Sequence, residues 1–315
     1  MTRILVTGGA GYIGSTATAI LCDRGYEVVV FDDLSTGHSD SVDARATLAI
    51  GSLLDPDALR SAAAGCQAVI HFAGKSLVGE SVEKPDLYRH VNIDGSQNLL
   101  DAMKIHGIDR LVFSSSAATY GQPLDNPITE ESVAAPTNPY GASKLSVDNL
   151  IAASGISAIS LRYFNVAGSH QGSNGWLSER HDPETHLIPN VLKSSVENPL
   201  KIFGTDWETK DGTCIRDYVH VVDLIEAHIL ALKNLTPHQH QIINLGSGSG
   251  YSVREVISAA EKVLGRTVPA VESPRREGDP ATLVASIKKA KSILNWQPER
   301  NLEAMISDTA KSQVR

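Results

Sequence analysis

Apolar residues come in short unbroken blocks, and each early block is followed by a segment whose apolar positions repeat with helical spacing. Arg3 to Thr7, Glu27 to Phe31, Thr47 to Ile50, Ala68 to Phe72 and Arg110 to Ser114 read as strands. Ser15 to Arg24, Asp55 to Ala64 and Leu87 to His106 read as the helices between them, and Gly25 stops the first. Strands that alternate with helices predict an α/β chain built on a doubly wound parallel sheet. After Gly168 the alternation loosens. Ser169 to Thr185 is polar and glycine-bearing, Leu187 to Ser195 reads as a helix started by Pro189, and Lys201 to Phe203 and Gln241 to Leu245 read as short strands. Leu224 to Lys233 and Val253 to Leu264 read as helices, and Ala281 to Arg315 closes with more. The division predicted is 1–168 for the sheet domain and 169–315 for a smaller carboxyl-terminal lobe, with segments free to interleave.

Composition narrows the class. The chain has 315 residues, 42% of them hydrophobic, which is enough for a large core. Its formal charge of -8, with both signs interspersed, argues against nucleic acid and against an anionic membrane surface, and favours a small-molecule partner. Cys22, Cys66 and Cys214 lack the spacing of a disulfide framework or zinc site and suit a reducing cytoplasm. The first apolar run, Ile4 to Val6, is too short for a signal peptide or a membrane span, so the expectation is a soluble, cytoplasmic protein. His71, His186 and His220 have no metal-ligand spacing, and His71 and His220 read as structural. No metal is expected.

The chemistry concentrates at strand ends. The first strand runs into Gly8-Gly9-Ala10-Gly11-Tyr12-Ile13-Gly14, and the helix follows. Glycines at 8, 11 and 14 let backbone N–H groups approach a pyrophosphate at the positive helix end and let that helix pack closely on the sheet. The second strand ends in Asp32, 18 positions after Gly14, where a carboxylate accepts hydrogen bonds from an adenosine ribose and repels a 2'-phosphate. Together these predict a Rossmann sheet that binds NAD rather than NADP. The fifth strand ends in Ser114-Ser115-Ser116. Read alone, Ser116 fits a turn residue bonding its own backbone as well as it fits a hydroxyl near a cofactor. Asn138 precedes Pro139 as the expected cap of a helix on which Tyr140 and Lys144 share one face. A phenol ionises near pH ~10, so it serves as a base at neutral pH only beside a positive charge, which Lys144 is placed to supply.

These residues resemble the extended short-chain dehydrogenase/reductase family: TGGAGYIGS at 7–15, HFAG at 71–74, SSSAATYG at 114–121 and YGASK at 140–144. LRYFNVAG at 161–168, HLIP at 186–189, DGTCIRDYVHVVDL at 211–224 and RREGD at 275–279 point within it to the branch that inverts C4 of UDP-hexoses. The resemblance implies Tyr140 as the base, Lys144 as its electrostatic partner and a ligand of the nicotinamide ribose, and Ser116 as the hydroxyl holding the reacting sugar oxygen. It implies NAD contacts from Gly8, Gly11, Tyr12, Ile13, Gly14, Asp32, Phe72, Ala73, Asn92, Ser114 and Phe164. It gives UDP-sugar contacts to Asn165, His186, Leu187, Arg216, Arg276 and Asp279. It also implies a homodimer through the helices at Leu87 to His106 and Asn138 to Ala153, with UDP-galactose and UDP-glucose as substrates in galactose metabolism.

The pattern departs from the family in places. Ser52 stands where many relatives carry an Asp toward the adenine, Lys75 directly follows Gly74, and Val166 follows Asn165 in place of a frequent proline. Leu283 occupies a loop position where a bulky tyrosine accompanies unsubstituted hexoses and a small side chain accompanies N-acetylhexosamines. Leucine is intermediate, so other UDP-sugars, an N-acetylhexosamine or a pentose, stay open as alternatives. A nucleotide-sugar 4,6-dehydratase shares the Tyr/Lys pair but carries Asp-Glu near the serine, where this chain has Ala117-Ala118-Thr119. A silent NAD-binding protein on the same fold is the remaining alternative.

Overall fold

The computed structural model describes residues 1–123, 125–276 and 278–313. Seven strands form one parallel sheet. Six come in chain order: β1 (Arg3–Thr7), β2 (Glu27–Asp32), β3 (Thr47–Ile50), β4 (Ala68–His71), β5 (Arg110–Ser116) and β6 (Ser157–Tyr163). The seventh is the strand His240–Leu245, and the spatial order is 240–245, β6, β5, β4, β1, β2, β3. Chain order reverses between β1 and β4, and that reversal opens a crevice at the carboxyl ends of the strands, where open α/β sheets bind ligands. In β1, Ile4, Leu5 and Val6 are fully buried between Val28–Val30 on one side and Ala68–Ile70 on the other.

Helices cover both faces. On one lie α1 (Tyr12–Asp23) and α8 (Val221–Lys233), whose Leu21, Leu224 and Ile225 pack with Ile4, Val30 and Ile70. On the other lie α2 (Pro56–Ala63), α5 (Gly95–Ile105) and α6 (Pro139–Ser154), which bring Leu59, Met103 and Val147 against Leu5, Phe31 and Phe113. The start of α6 matters for chemistry because Tyr140 sits in its first turn. Pro139 sets its first residue, the Asn138 side chain accepts the Gly141 N–H at 2.8 Å, and Gly155 ends it in the left-handed region at φ 70°. Removing that cap costs about 1 kcal/mol and loosens the turn carrying Tyr140.

Two elements differ from the sequence expectation. The segment Leu87 to His106 is not one regular helix: α3 (Val78–Glu83) and α4 (Pro85–Tyr88) precede a widened π turn over Arg89–Asp94, and only then does α5 begin. The stretch Gln241 to Leu245 belongs to the main sheet, paired in register with Ile159 to Tyr163, rather than to the smaller lobe. A run of six residues carries no record of its partner, which is chosen by non-local burial.

The smaller core packs α7 (Leu187–Lys193), α9 (Val253–Leu264) and α11 (Leu302–Gln313) around Ile188, Val256, Met305 and Ile306. The short α10 (Lys288–Leu294) returns to the main sheet and places Leu294 in its core. A parallel pairing of Asn165–Ala167 with Tyr218–His220 joins the lobe to the sheet domain just beyond the end of β6.

Candidate active site

A cavity of about 510 Å³ lies over the carboxyl ends of the strands, lined by Gly8, Gly11, Tyr12, Ile13, Gly14 and Asp32 on one side. Gly8 has φ +72°, and a side chain there would meet the Ala73 backbone at 2.6 Å; one at Gly14 would meet the Gly8 carbonyl at 2.0 Å. Those two glycines are required by the close approach of backbone to backbone. Gly11 is different: an added Cβ would make only an ordinary 3.5 Å contact with protein, so the space it leaves is cavity. It stands at the N-terminus of α1 with no side-chain cap, which leaves the N–H groups of the first turn for an anion in the cavity. Asp32 accepts Ala10 N–H at 3.0 Å and Leu34 N–H at 2.8 Å, one on each oxygen, and keeps further lone pairs for ribose hydroxyls. Burial raises its pKa, and those two bonds work against the rise. Phe72 and Ala73 close the floor, both donating backbone N–H to the Thr7 carbonyl, and Ser52 and Lys75 line the rim. The uncapped helix end, the Gly11 gap and the Asp32 carboxylate fit a dinucleotide.

The candidate reactive groups line the same cavity. Tyr140 is half-buried; desolvation of its hydroxyl raises its pKa, while the Ser116 hydroxyl beside it pulls the other way. The Ser116 Oγ also accepts Ala118 N–H at 3.1 Å and caps the short turn after β5. Lys144 is 5% exposed and donates to the Ser114 carbonyl at 2.9 Å. Burial lowers its pKa to about 8, and the Asp148 charge, one turn further along α6, opposes the fall. Ser114 Oγ is hydrogen-bonded to the Tyr163 hydroxyl, and Tyr163 and Phe164 complete this wall.

A second cavity, about 460 Å³, meets the first at Asn165, Val166, His186, Arg216 and Asp279. Arg216 donates to the Ile215 and Pro280 carbonyls, both at 2.9 Å, and approaches Asp279 at 3.5 Å. Arg276 stacks on the Phe203 ring at 3.8 Å and, with Leu187, lines only the second cavity. Glu277, inside the RREGD motif, lies outside the described residues. At the rim, His186 Nδ1 lies 2.8 Å from Glu179 and 3.0 Å from Glu184. Burial opposes its charge, but these two carboxylates lift its pKa to about 10.

The family model described as the NAD dependent epimerase/dehydratase family matches residues 4–246. The chain belongs to that family. It is 50% identical over 313 residues to UDP-glucose 4-epimerase of Corynebacterium glutamicum, covering 97% of this chain and 94% of the relative. It is 47% identical over 315 residues to the enzyme of the same name from Streptomyces lividans, with 97% and 94% covered. Among solved structures, UDP-glucose 4-epimerase from Brucella ovis in complex with NAD superposes with a TM-score of 0.93 at 41% identity, covering 99% of this chain and 98% of that one.

Within this NAD-dependent family member, one cavity gathers the glycine face, Asp32, Ser114, Ser116, Tyr140, Lys144 and Phe164. Asn92 stands apart. Carried by the π turn and 3% exposed, it accepts Lys75 N–H at 2.7 Å and donates to the Lys75 carbonyl and the Ser143 hydroxyl, so it holds the rim from behind. Sequence reasoning missed Asp217, which is fully buried and accepts N–H groups from Ser247, Gly248 and Ala285 as well as the Ser247 hydroxyl. It fastens the strand carrying Arg216 to two loops of the lobe. A carboxylate immediately after that arginine, in DYVH, was the available signal. Glu179, His181 and Glu184 were also missed, although Glu-x-His occurs twice, at 179–181 and 184–186. Among the described residues no helix is long and apolar enough to cross a membrane.

Proposed function

We propose that this chain interconverts UDP-galactose and UDP-glucose by oxidising and re-reducing C4 of the hexose. The carrying observation is that Tyr140 lines the same cavity as the uncapped glycine-loop helix end, with the buried Lys144 ammonium on the same face of α6. Tyr140 takes the proton of the C4 hydroxyl as that oxygen becomes a carbonyl, and gives it back when the hydroxyl re-forms on the other face. NAD, when bound, supplies the reversible hydride acceptor. Lys144 stabilises the phenolate through its field, and Ser116 positions the reacting oxygen. Inversion requires the ketose to present both faces without leaving. Arg216 and Arg276 grip the diphosphate, with Asn165, His186, Leu187 and Asp279 along the nucleotide, so that only the sugar turns.

In this reading residues 1–168 hold the cofactor and 169–315 hold the UDP-sugar, with the strand His240–Leu245 interleaved into the first. The working form is a homodimer through α5 and α6, with Ile105, 60% exposed, among the residues it would cover, and the compartment is the cytoplasm. A monomer by sedimentation at micromolar concentration would remove the dimer. A dehydratase reading is disfavoured because Ala117, Ala118 and Thr119 offer no acid and base for C5/C6 elimination, and Thr119 spends its hydroxyl on the Ser116 carbonyl. Incubation with UDP-galactose, followed by NMR, separates the readings: UDP-glucose supports epimerisation, a 4-keto-6-deoxy sugar supports the dehydratase, and unchanged substrate supports a silent binder.

A further inference from the structure

We propose that Glu179, His181, Glu184 and His186 form a binding site for one divalent transition-metal ion of the Zn²⁺ class, at the rim of the sugar cavity and outside the hydride chemistry. The four donor atoms lie within 4.8 Å of one another. Glu179 Oε1 is 2.9 Å from His181 Nδ1 and 2.8 Å from His186 Nδ1, and Glu184 Oε1 is 3.0 Å from His186 Nδ1. A tetrahedral Zn²⁺ with bonds of about 2.0–2.2 Å holds its ligand atoms roughly 3.4 Å apart. The three close pairs must open by about half an ångström to admit it, and the wider ones, up to 4.8 Å, must draw in.

The donor set selects the ion. Two imidazoles with two carboxylates suit zinc and its neighbours, whereas calcium and magnesium prefer oxygen alone. The ion would displace the proton that the two carboxylates hold on His186, and with neutral imidazoles the site's two negative charges match a divalent cation. Its carboxylates are already oriented: their side chains are 9% and 7% exposed, and Glu184 accepts the Thr185 and His186 N–H groups at 2.8 Å. These backbone donors fix the position of Glu184 Oε1, the oxygen that also faces His186 Nδ1. The imidazoles, 30% and 38% exposed, leave an entry path. Coordination through Nδ1 of His186 leaves its Nε2 free, so the ion and the sugar-side role proposed for that ring are compatible.

The test uses the purified NAD-bound enzyme after treatment with a chelator. Titration with Co²⁺ should saturate at one equivalent with the visible absorption of a low-coordinate N/O site, and Zn²⁺ should displace it. His181→Ala and Glu184→Gln should each weaken Zn²⁺ binding at least about tenfold while NAD retention and circular dichroism stay as in wild type. X-ray absorption of the wild-type zinc complex, which needs no variant, should show two imidazoles and no sulfur. Absence of stoichiometric binding, wild-type affinity in both variants, or a sulfur ligand would each overturn the proposal.

Discussion

The Lys144 ammonium and the Tyr140 ring are neighbours without being partners: Nζ lies 5.9 Å from the ring centroid and gives a 2.9 Å hydrogen bond to the Ser114 carbonyl instead. In the proposed mechanism Lys144 therefore acts on the phenol through its charge and not through a hydrogen bond, in a buried setting where charge is weakly screened. Lys144→Ala removes that charge, the phenolate loses its stabilising neighbour, and the acidic limb of the kcat/KM profile should move to higher pH. An unmoved limb would show that the cofactor alone sets the tyrosine's ionisation.

Tyr140→Phe deletes one oxygen and keeps the ring, which packs edge-on to Tyr88 at 6.4 Å. Turnover should fall to nearly nothing while NAD stays bound, because the glycine face and Asp32 are untouched. Epimerisation at a rate near wild type would dismiss Tyr140 as the base.

One turn beyond Lys144 on α6, Asp148 accepts both Nε and Nη2 of Arg162, at 3.1 and 2.9 Å, and the Ser115 hydroxyl at 3.1 Å. Both charged side chains are almost fully buried. Asp148→Asn leaves the guanidinium uncompensated, which costs about 3–5 kcal/mol for a buried pair, and it removes the charge that supports the Lys144 proton. Denaturant melts should show the loss directly. A change below about 1 kcal/mol, the range of an exposed pair, would mean that water reaches the site.

How much of this was legible in the sequence follows the range of the interactions. Gly8, Gly14 and Asp32 were readable because their roles are set within one strand, turn and helix, and the parallel sheet followed from apolar blocks alternating with helical spacing. Asn138 could be read as a cap from Pro139 beside it. Asn92 drew its notice only from resemblance, since nothing local marks a π turn that aims its amide at Lys75, 17 positions earlier. Asp217 collects its donors from 30, 31 and 68 positions away, and the strand His240–Leu245 finds β6 about 80 positions back. Such partners are chosen by the whole core.

Acid should destabilise the fold through its buried histidines. His228 donates Nδ1–H to the Leu224 carbonyl at 2.9 Å, and its Nε2 has no hydrogen-bond partner among the described residues. Burial lowers its pKa to about 4, with the Leu224 bond opposing, and burial and the Lys144 charge take His71 to about 3. Below pH 6.5 the unfolded chain gains protons that the folded chain refuses, so stability is present above that pH and is lost as pH falls toward 4. The slope is on the order of 1.4 kcal/mol per pH unit per group. His228→Leu removes one such group and an unpaired acceptor beside Phe72, so it should flatten the decline between pH 6.5 and 4. A parallel decline in the variant would assign the acid sensitivity elsewhere.

Leu283 is the proposed sugar-selecting position: it lines the first cavity with Ser116 and Tyr140, and its strand pairs it with Arg216. Its carbonyl accepts Asp217 N–H at 3.0 Å, so the backbone here is tied to the buried carboxylate and a new side chain must point where leucine now does. Leucine leaves more room beside C2 than a tyrosine would, yet offers an acetamido group no hydrogen bond, and an unpaired buried amide costs ~1 to 3 kcal/mol. UDP-galactose should therefore be the better substrate, with weaker but measurable turnover of UDP-N-acetylgalactosamine. Leu283→Tyr should lower kcat/KM for the N-acetyl sugar more than for UDP-galactose, since a ring at that position fills the space the acetamido needs. If the ratio of the two is unchanged, the acetamido meets its barrier elsewhere in the cavity and Leu283 only packs.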